Sequence, residues 1–466
     1  MTFIPMQMAY ADSAFSGGNG TKDDPYLITN ANDFKQLATE VNGGNNYSNT
    51  YFKIPETVTE TIELSTDDGY VPIGNDTNQF EGTFDGGNHT INLNLTGERL
   101  VGLFGEGGEN SNLCNIRTTG SVSMTGYYAG GIVANMYGNV VNCHNEASVT
   151  GYYHVGGIVG ISDNSKYIIN CSNSGAIVGN MNVGGIVGNI STLKVINCLN
   201  TGTVQGSSCG GIAGYSGLYS KIYNCINNGL VTKKSDGNYI GGLFGEKNGN
   251  NDAFGNCYYN GTINSEIGDF GRLTNNSEHY TVRDFAKTSE EIVSEDVLMS
   301  LNLYARANKP SDTQLLYWKA ENGIPVLTEE EPVFPYTITN NQPNYITVAA
   351  NAMADTSVEI KTDKIPAYLK LTKITVNDNE IKANSDGKYI FTMPKNDVTV
   401  DADFEFMLEK DSYDNYIVST DEELLILSKA VNDGYEAGNV VLTADVTAST
   451  ENGFEPIGTN DNPYKG

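Results

Sequence analysis

Between Val101 and Tyr259 the chain repeats one pattern: an apolar residue, a Gly-Gly pair, two apolar residues, a loop, Asn-Cys, a polar turn and a valine-bearing strand. The openings are Gly130-Gly131-Ile132-Val133, Gly156-Gly157-Ile158-Val159, Gly184-Gly185-Ile186-Val187, Gly210-Gly211-Ile212-Ala213 and Gly241-Gly242-Leu243-Phe244, with Val101-Gly102-Leu103-Phe104 as a degenerate first copy. A second marker runs in step: Asn142-Cys143, Asn170-Cys171, Asn197-Cys198, Asn224-Cys225 and Asn256-Cys257, with Leu113-Cys114 standing in at the start. The Gly pairs advance by 26, 28, 26 and 31 residues and the cysteines by 29, 28, 27, 27 and 32. Two independent markers holding one period define a structural repeat, whose units bury their apolar faces only by stacking on one another.

Each unit reads as two or three short strands of Val, Ile and Tyr separated by Gly or Asn turns. Leucine-rich repeats have a similar period, but the leucine spacing is missing and no segment suits the helical half of such a unit. The Gly pairs are expected at sharp corners that need positive φ or close backbone approach. The Ile-Val that follows each pair is expected in the core. Stacked coils align equivalent side chains, so Cys143, Cys171, Cys198, Cys225 and Cys257 should form a buried ladder rather than disulfides. The Asn before each Cys should form a stacked amide ladder. Cys209 falls off the period and is a candidate free thiol.

The segments Gly156 to Gly160 and Gly184 to Gly188, with Asn-Cys-x-Asn-x-Gly between them, resemble the GLUG motif of bacterial secreted and surface proteins. That motif also accompanies some IgA-specific metallopeptidases. The resemblance covers Val101 to Gly261, and Phe80 to Ile91 is similar to the coil that leads into such arrays. It implies a right-handed parallel β-helix on an extracellular protein. Protease activity is not implied, because none of the four histidines, His89, His144, His154 and His279, begins a His-Glu-x-x-His zinc motif.

The remainder divides by composition. Residues 1–11 read as a truncated signal-peptide remnant ending in Ala9-Tyr10-Ala11. Residues 12–98 form a leader with N-terminal coils and a capping helix near 32–41, and residues 99–275 are the repeat array. Residues 276–331 carry helical signals and the single Trp318, expected to plug the C-terminal end of the solenoid. Trp318 is expected in the core; the rival reading is a sugar platform. Residues 332–407 alternate with period two and read as a small antiparallel β-sandwich, similar to a β-repeat module of bacterial surface proteins. From 408 to 466 the leader begins again: Phe454-Glu455-Pro456-Ile457-Gly458 parallels Tyr70-Val71-Pro72-Ile73-Gly74, an offset of 384 residues. The chain therefore reads as an all-β fragment of a longer tandem protein, with short helical caps.

A net charge of -29 repels the phosphates of nucleic acid, and no apolar run is long enough to span a bilayer. No cofactor is expected, and no metal: zinc spacing is absent, and Asp67-Asp68-Gly69 and Asp85-Gly86 read as ordinary turns. No catalytic residue stands out, since cations and acids in the array are sparse and do not recur on one strand face. The side chains singled out for binding are Tyr127-Tyr128 and Tyr152-Tyr153, one coil apart at matching phases just before the Gly pairs, and Tyr239 in the corresponding place later, with one ring of each pair inward and one outward. Outward rings with Asn and Thr neighbours suit a sugar or an extended peptide. The leading expectation is a non-enzymatic secreted or cell-surface bacterial protein, a stalk or adhesin-like module for host or microbial glycans or surface proteins. The rivals are a carbohydrate-active β-helix enzyme and the non-catalytic region of a large secreted metallopeptidase.

Overall fold

The computed structural model describes residues 15–163, 166–217, 219–234, 237–248, 253–274 and 285–466; the signal-peptide remnant at 1–11, Asp236, Asp252 and His279 lie outside the described residues. Two compact units divide between Pro332 and Val333.

The first unit is a parallel β-helix. Its first sheet has nine strands in chain order, from Tyr26–Leu27 and Tyr51–Lys53 through Thr83–Asp85 and Asn112–Cys114 to Ala253–Gly255. Thirteen strands form the second sheet and eleven the third. Each strand pairs in parallel with its counterpart one coil away, as Val140 with Ile168, Ile168 with Val195 and Val195 with Ile222. Within strands the period is two: Ser148–Thr150 buries only its central valine. Ile132, Ile158, Ile186, Ile212 and Leu243 stack as one fully buried column beside Val133, Val159, Val187, Ala213 and Phe244. Each such side chain contributes about 1.5–3 kcal/mol.

The structure separates the two roles offered for glycine. None of the ten paired glycines has a positive φ; the left-handed corner is made by Asn115, Asn142, Asn170, Asn197, Asn224 and Asn256, at φ 53–59°. Asparagine tolerates that region at lower cost than other residues with a Cβ. The second glycine of each pair instead makes room. A Cβ on Gly131 would lie 2.2 Å from Asn145 Oδ1, and one on Gly185 would lie 2.3 Å from Asn200 Cγ.

Two amide ladders run along the coils. In the first, each Asn Nδ2 donates to the preceding Asn Oδ1, from Asn142 to Asn115 (3.2 Å) through Asn170, Asn197 and Asn224 to Asn256 (2.6 Å). In the second, Asn145, Asn173 and Asn200 donate one coil forward at 2.7–2.8 Å, ending on Asn227. All cysteines are unpaired thiols, and Cys143, Cys171, Cys198, Cys225, Cys257 and the off-period Cys209 are buried. Burial pushes the Cys209 thiol up to about 12.

Register corrects one assignment. Cys114 pairs with Val141, so Asn115-Ile116, not Leu113-Cys114, stands where later coils carry Asn-Cys. Ile116 is fully buried and heads the cysteine column, while Cys114 is only half-buried.

Phe285 packs on Phe254 and Phe270, and Ala286–Lys287 pairs with the last coil at Tyr259–Asn260, but the helical part and Trp318, expected to plug the end, lie elsewhere. The helix Glu295–Ala307 and the hairpin Tyr317–Glu321/Ile324–Thr328 lie along the flank of several coils. Trp318 packs with Leu199, Ile226, Ile292, Val297 and Leu301. The first Asn ladder is the rail: Asn170, Asn197, Asn224 and Asn256 donate to the carbonyls of Gln314, Leu316, Leu301 and Ser300. A fixed row of spare amide protons, one per coil, satisfies carbonyls that would otherwise be buried unpaired.

The second unit begins with a five-stranded sheet in the order Asn351–Ala352, Tyr336–Asn340, Val398–Phe406, Leu369–Val376, Asn379–Glu380, beside the pair Ser357–Ile360/Tyr389–Thr392. Ile346, Ile374, Met393 and Val400 form its core. Tyr336–Asn340 and Val398–Phe406 pair in parallel, so this sheet is mixed rather than wholly antiparallel. These strands are far apart in sequence, so no tight hairpin dictates their direction. Residues 416–464 add a parallel strand pair, Tyr416–Val418/Val440–Leu442, and the helix Asp421–Asn432 with a capping box at Thr420 and Glu423.

Candidate functional site

The predicted tyrosines lie where coils enter the third sheet, and the strand register sets their order. Ala129 pairs with Val155, which places Tyr127 beside Tyr153 and Tyr128 beside His154. The two Tyr-Tyr pairs are therefore offset by one residue rather than in matching phase. The Tyr127 and Tyr153 rings stack at 6.1 Å with a 15° interplanar angle. Tyr152 stands edge-on to Tyr153 at 4.6 Å, and Tyr128 lies 5.3 Å from the His154 ring. Neither pair sends a ring into the core: Tyr127 is 53% exposed, Tyr152 is 48% exposed, and Tyr128 and Tyr153 are half-buried. Tyr127, Tyr128 and Tyr152 precede the strands, and the strand Tyr153–Gly156 is interrupted at its second residue, so strict alternation does not hold there. His154 makes the turn at φ 50°.

Tyr239 does not join this patch. It shares a column with Tyr128 but stands four coils away, roughly 19 Å at the usual strand spacing. Arg272 covers it instead, with the guanidinium 4.9 Å from the ring centroid and Nη1 donating to the hydroxyl at 3.1 Å.

His154 holds the patch together chemically. The Asn182 amide donates to its Nδ1 at 3.2 Å, leaving the ring proton on Nε2. Burial lowers the imidazole from 6.5 to about 4. Above pH 6.5 neither folded nor unfolded chain carries this proton. Between about 6.5 and 4 the unfolded chain binds it and the folded one does not, so folding stability must fall as pH falls. A loss of about 1–3 kcal/mol is expected for this half-buried ring. His154→Asn, copying Asn182 of the next coil, should flatten that slope in denaturant titrations at pH 7 and 4.5.

A second constellation went unnoticed in the sequence because its members are 27 to 29 residues apart. Arg117, His144 and Ser172 occupy successive coils in one column. The His144 Nδ1 lies 2.6 Å from Ser172 Oγ, and its Nε2 lies 3.1 Å from Glu146 Oε1, which also takes Arg117 Nη2 at 3.3 Å. Burial and the Arg117 charge lower the His144 pKa, opposed by Glu146. Arg117, His144 and Ser172 line a groove of about 390 Å³ together with Asn115, Asn142 and Asn170 and the apolar Ile324, Val326 and Leu327. This mixed polar and apolar lining suits a linear ligand lying along the coils. Part of the signal was available: aligning the later coils on Asn-Cys puts His144 and Ser172 in one row, and Arg117 joins them only with Asn115-Ile116 as the first copy.

Among the described residues no cluster of three or more His, Cys, Asp or Glu side chains is placed to hold a metal, and no helix is long and apolar enough to cross a membrane.

No protein-family model matches the chain. Over 141 residues, 29% of its length, it is 33% identical to a protein of Evansella cellulosilytica provisionally described as a Gly-rich membrane protein. Over 155 residues, 31% of its length, it is 36% identical to halomucin of Haloquadratum walsbyi. The chain spans 16% and 2% of those relatives. A solved structure from Bacteroides ovatus, described as a candidate immunoglobulin A1 protease, is similar at a TM-score of 0.48 and 21% identity, covering 68% of this chain and 96% of that one.

Proposed function

We propose that the chain is a non-enzymatic, GLUG-type β-helix module of an extracellular bacterial surface protein, a rigid stalk that presents an aromatic patch to glycans or surface proteins. The observation that carries this reading is the stacked, outward Tyr127 and Tyr153 beside the exposed Tyr152, fixed on a backbone hydrogen-bonded from coil to coil. Rings already packed on one another lose less entropy on binding than isolated side chains, and an exposed aromatic face suits the apolar face of a sugar. The Gly-rich and halomucin relatives support a surface setting. Titration with neutral glycans and extended peptides should give measurable binding, weakened about tenfold by each of Tyr127→Ala, Tyr152→Ala and Tyr153→Ala. Undiminished binding by the triple variant would move the site elsewhere.

One observation favours a second reading, cleavage of a bound polysaccharide: Arg117, His144 and Ser172 in the flank groove, with Glu146 bonded to the first two. Incubation with uronate-containing and neutral glycans distinguishes the two. New reducing ends or unsaturated products, lost in Glu146→Gln, would establish the enzyme; their absence leaves the groove as a binding surface.

A further inference from the structure

Residues 416–464 repeat a set of hydrogen bonds found in the cap that opens the β-helix, where the helix Ala31–Asn42 follows the strand Tyr26–Leu27. Asn42 Nδ2 donates to Pro72 O at 3.0 Å, and Asn432 Nδ2 donates to Pro456 O at 3.0 Å. Gly74 N donates to Asn42 Oδ1 (2.9 Å) and Gly458 N to Asn432 Oδ1 (2.7 Å). Asn78 Nδ2 reaches Asn42 O (2.7 Å) and Asn462 Nδ2 reaches Asn432 O (2.8 Å). Gly74 and Gly458 share a left-handed turn at φ 86° and 88°. The strand pairs match as well: Tyr26 pairs with Phe52, and Tyr416 with Val440. Leu442 therefore corresponds to Ile54, Leu424 to Phe34 and Ile457 to Ile73.

The two caps differ in what covers them. In the first, Ile54, Phe34 and Ile73 are fully buried. The strand Thr83–Asp85 pairs with Tyr51–Lys53, and Ile54 N donates to Asp85 O. Phe84 packs 5.5 Å from Phe34, and Phe80 packs 5.9 Å from Phe52. In the second, Leu442 is 60% exposed, Val441 is 39% exposed, and Leu424 and Ile457 are half-buried. Among the described residues the strand Val440–Leu442 pairs with Tyr416–Val418 alone.

We infer that this open face is a docking site for one occupant: a parallel strand of the pattern Phe-x-Gly-x-Phe-Asp-Gly, the opening coil of a β-helix. The first cap supplies the specification. The edge of Val440–Leu442 offers its backbone to the strand, as Tyr51–Lys53 does to Thr83–Asp85. The second aromatic of the pattern drops onto Leu424 and Val440, as Phe84 does onto Phe34 and Phe52's strand. An Asp in that position would leave a buried carboxylate against apolar side chains.

The test adds a peptide with the sequence of residues 80–91 to the full chain and follows amide exchange. At about 1 mM, the effective concentration a short tether provides, exchange in Val440–Leu442 should slow about tenfold. The same peptide carrying Phe84→Asp should give no protection. Leu442→Asp in the full chain should abolish protection while the helix Asp421–Asn432 keeps its own, because the Leu442 side chain is already mostly in solvent. No protection at this concentration, or equal protection by both peptides, would overturn the inference. Protection that appears without peptide and rises with protein concentration would also overturn it, by assigning the face to a second copy.

Discussion

Gly157→Ala is expected to lower folding stability by about 3–5 kcal/mol, far more than a glycine-to-alanine change in ordinary surroundings. A Cβ there would stand 2.1 Å from Gly185 O and 2.5 Å from Asn173 Cγ. Neither neighbour can retreat freely. Gly185 belongs to the next coil, whose separation is fixed by bonds such as Ile158 N to Ile186 O at 2.9 Å. Asn173 is buried and tied to Asn145 and Asn200 at 2.7 and 2.8 Å. Opening the coil spacing lengthens several bonds at once, each contributing about 1 kcal/mol. Gly69→Ala is the control: its φ is +82° but nothing lies within 4 Å, so only backbone strain of about 1–2 kcal/mol applies. Denaturant titration of both variants gives the comparison. Adding Asn173→Ala to Gly157→Ala removes the side-chain clash and leaves the carbonyl, so the coupling should be only about 1 kcal/mol. A stability of Gly157→Ala equal to that of Gly69→Ala would show that the coils part without resistance.

That clash also marks what one strand of sequence can reveal. The Gly pair and the Asn of Asn-Cys-x-Asn recur in step, which is enough to infer a repeat, parallel stacking and an Ile-Val core. Their mutual contact was not legible, because Gly157 and Asn173 meet only once three sheets close a coil. The left-handed φ of Asn142 and its counterparts leaves a trace only in residue choice, and an amide ladder alone accounts for that choice equally well. The tyrosine offset was legible and misjudged: counting back from Gly130 and Gly156 puts Tyr128 level with His154, not with Tyr153. The flank position of Trp318 was beyond reach, since it depends on bonds such as Trp318 Nε1 to Asn197 Oδ1, 121 residues apart. Helical signals after an array fit an end plug as well as a flank brace, and only the spare ladder amides decide between them.

Asn197→Leu should therefore be among the most damaging single changes, at about 4–5 kcal/mol. Asn197 is fully buried at φ 59° and makes four side-chain hydrogen bonds. Its Oδ1 accepts from Trp318 Nε1 and from Asn224 Nδ2, both at 2.7 Å. Its Nδ2 donates to Asn170 Oδ1 and to Leu316 O, both at 2.8 Å. Leucine removes all four, orphans the Trp318 donor, and forces a branched side chain into the left-handed region. Asn197→Gly separates the contributions. It keeps the backbone conformation and loses the bonds, so it should cost about 1–2 kcal/mol less than Asn197→Leu. Trp318 is the only tryptophan, so its fluorescence reports the flank brace directly. In both variants its emission should shift to the red at lower denaturant than the loss of β-sheet circular dichroism, because the brace hangs on the ladder while the coils hold one another. Coincident transitions would mean that the brace and the coils unfold as one unit, and that the ladder stabilises the whole β-helix rather than the segment along its side.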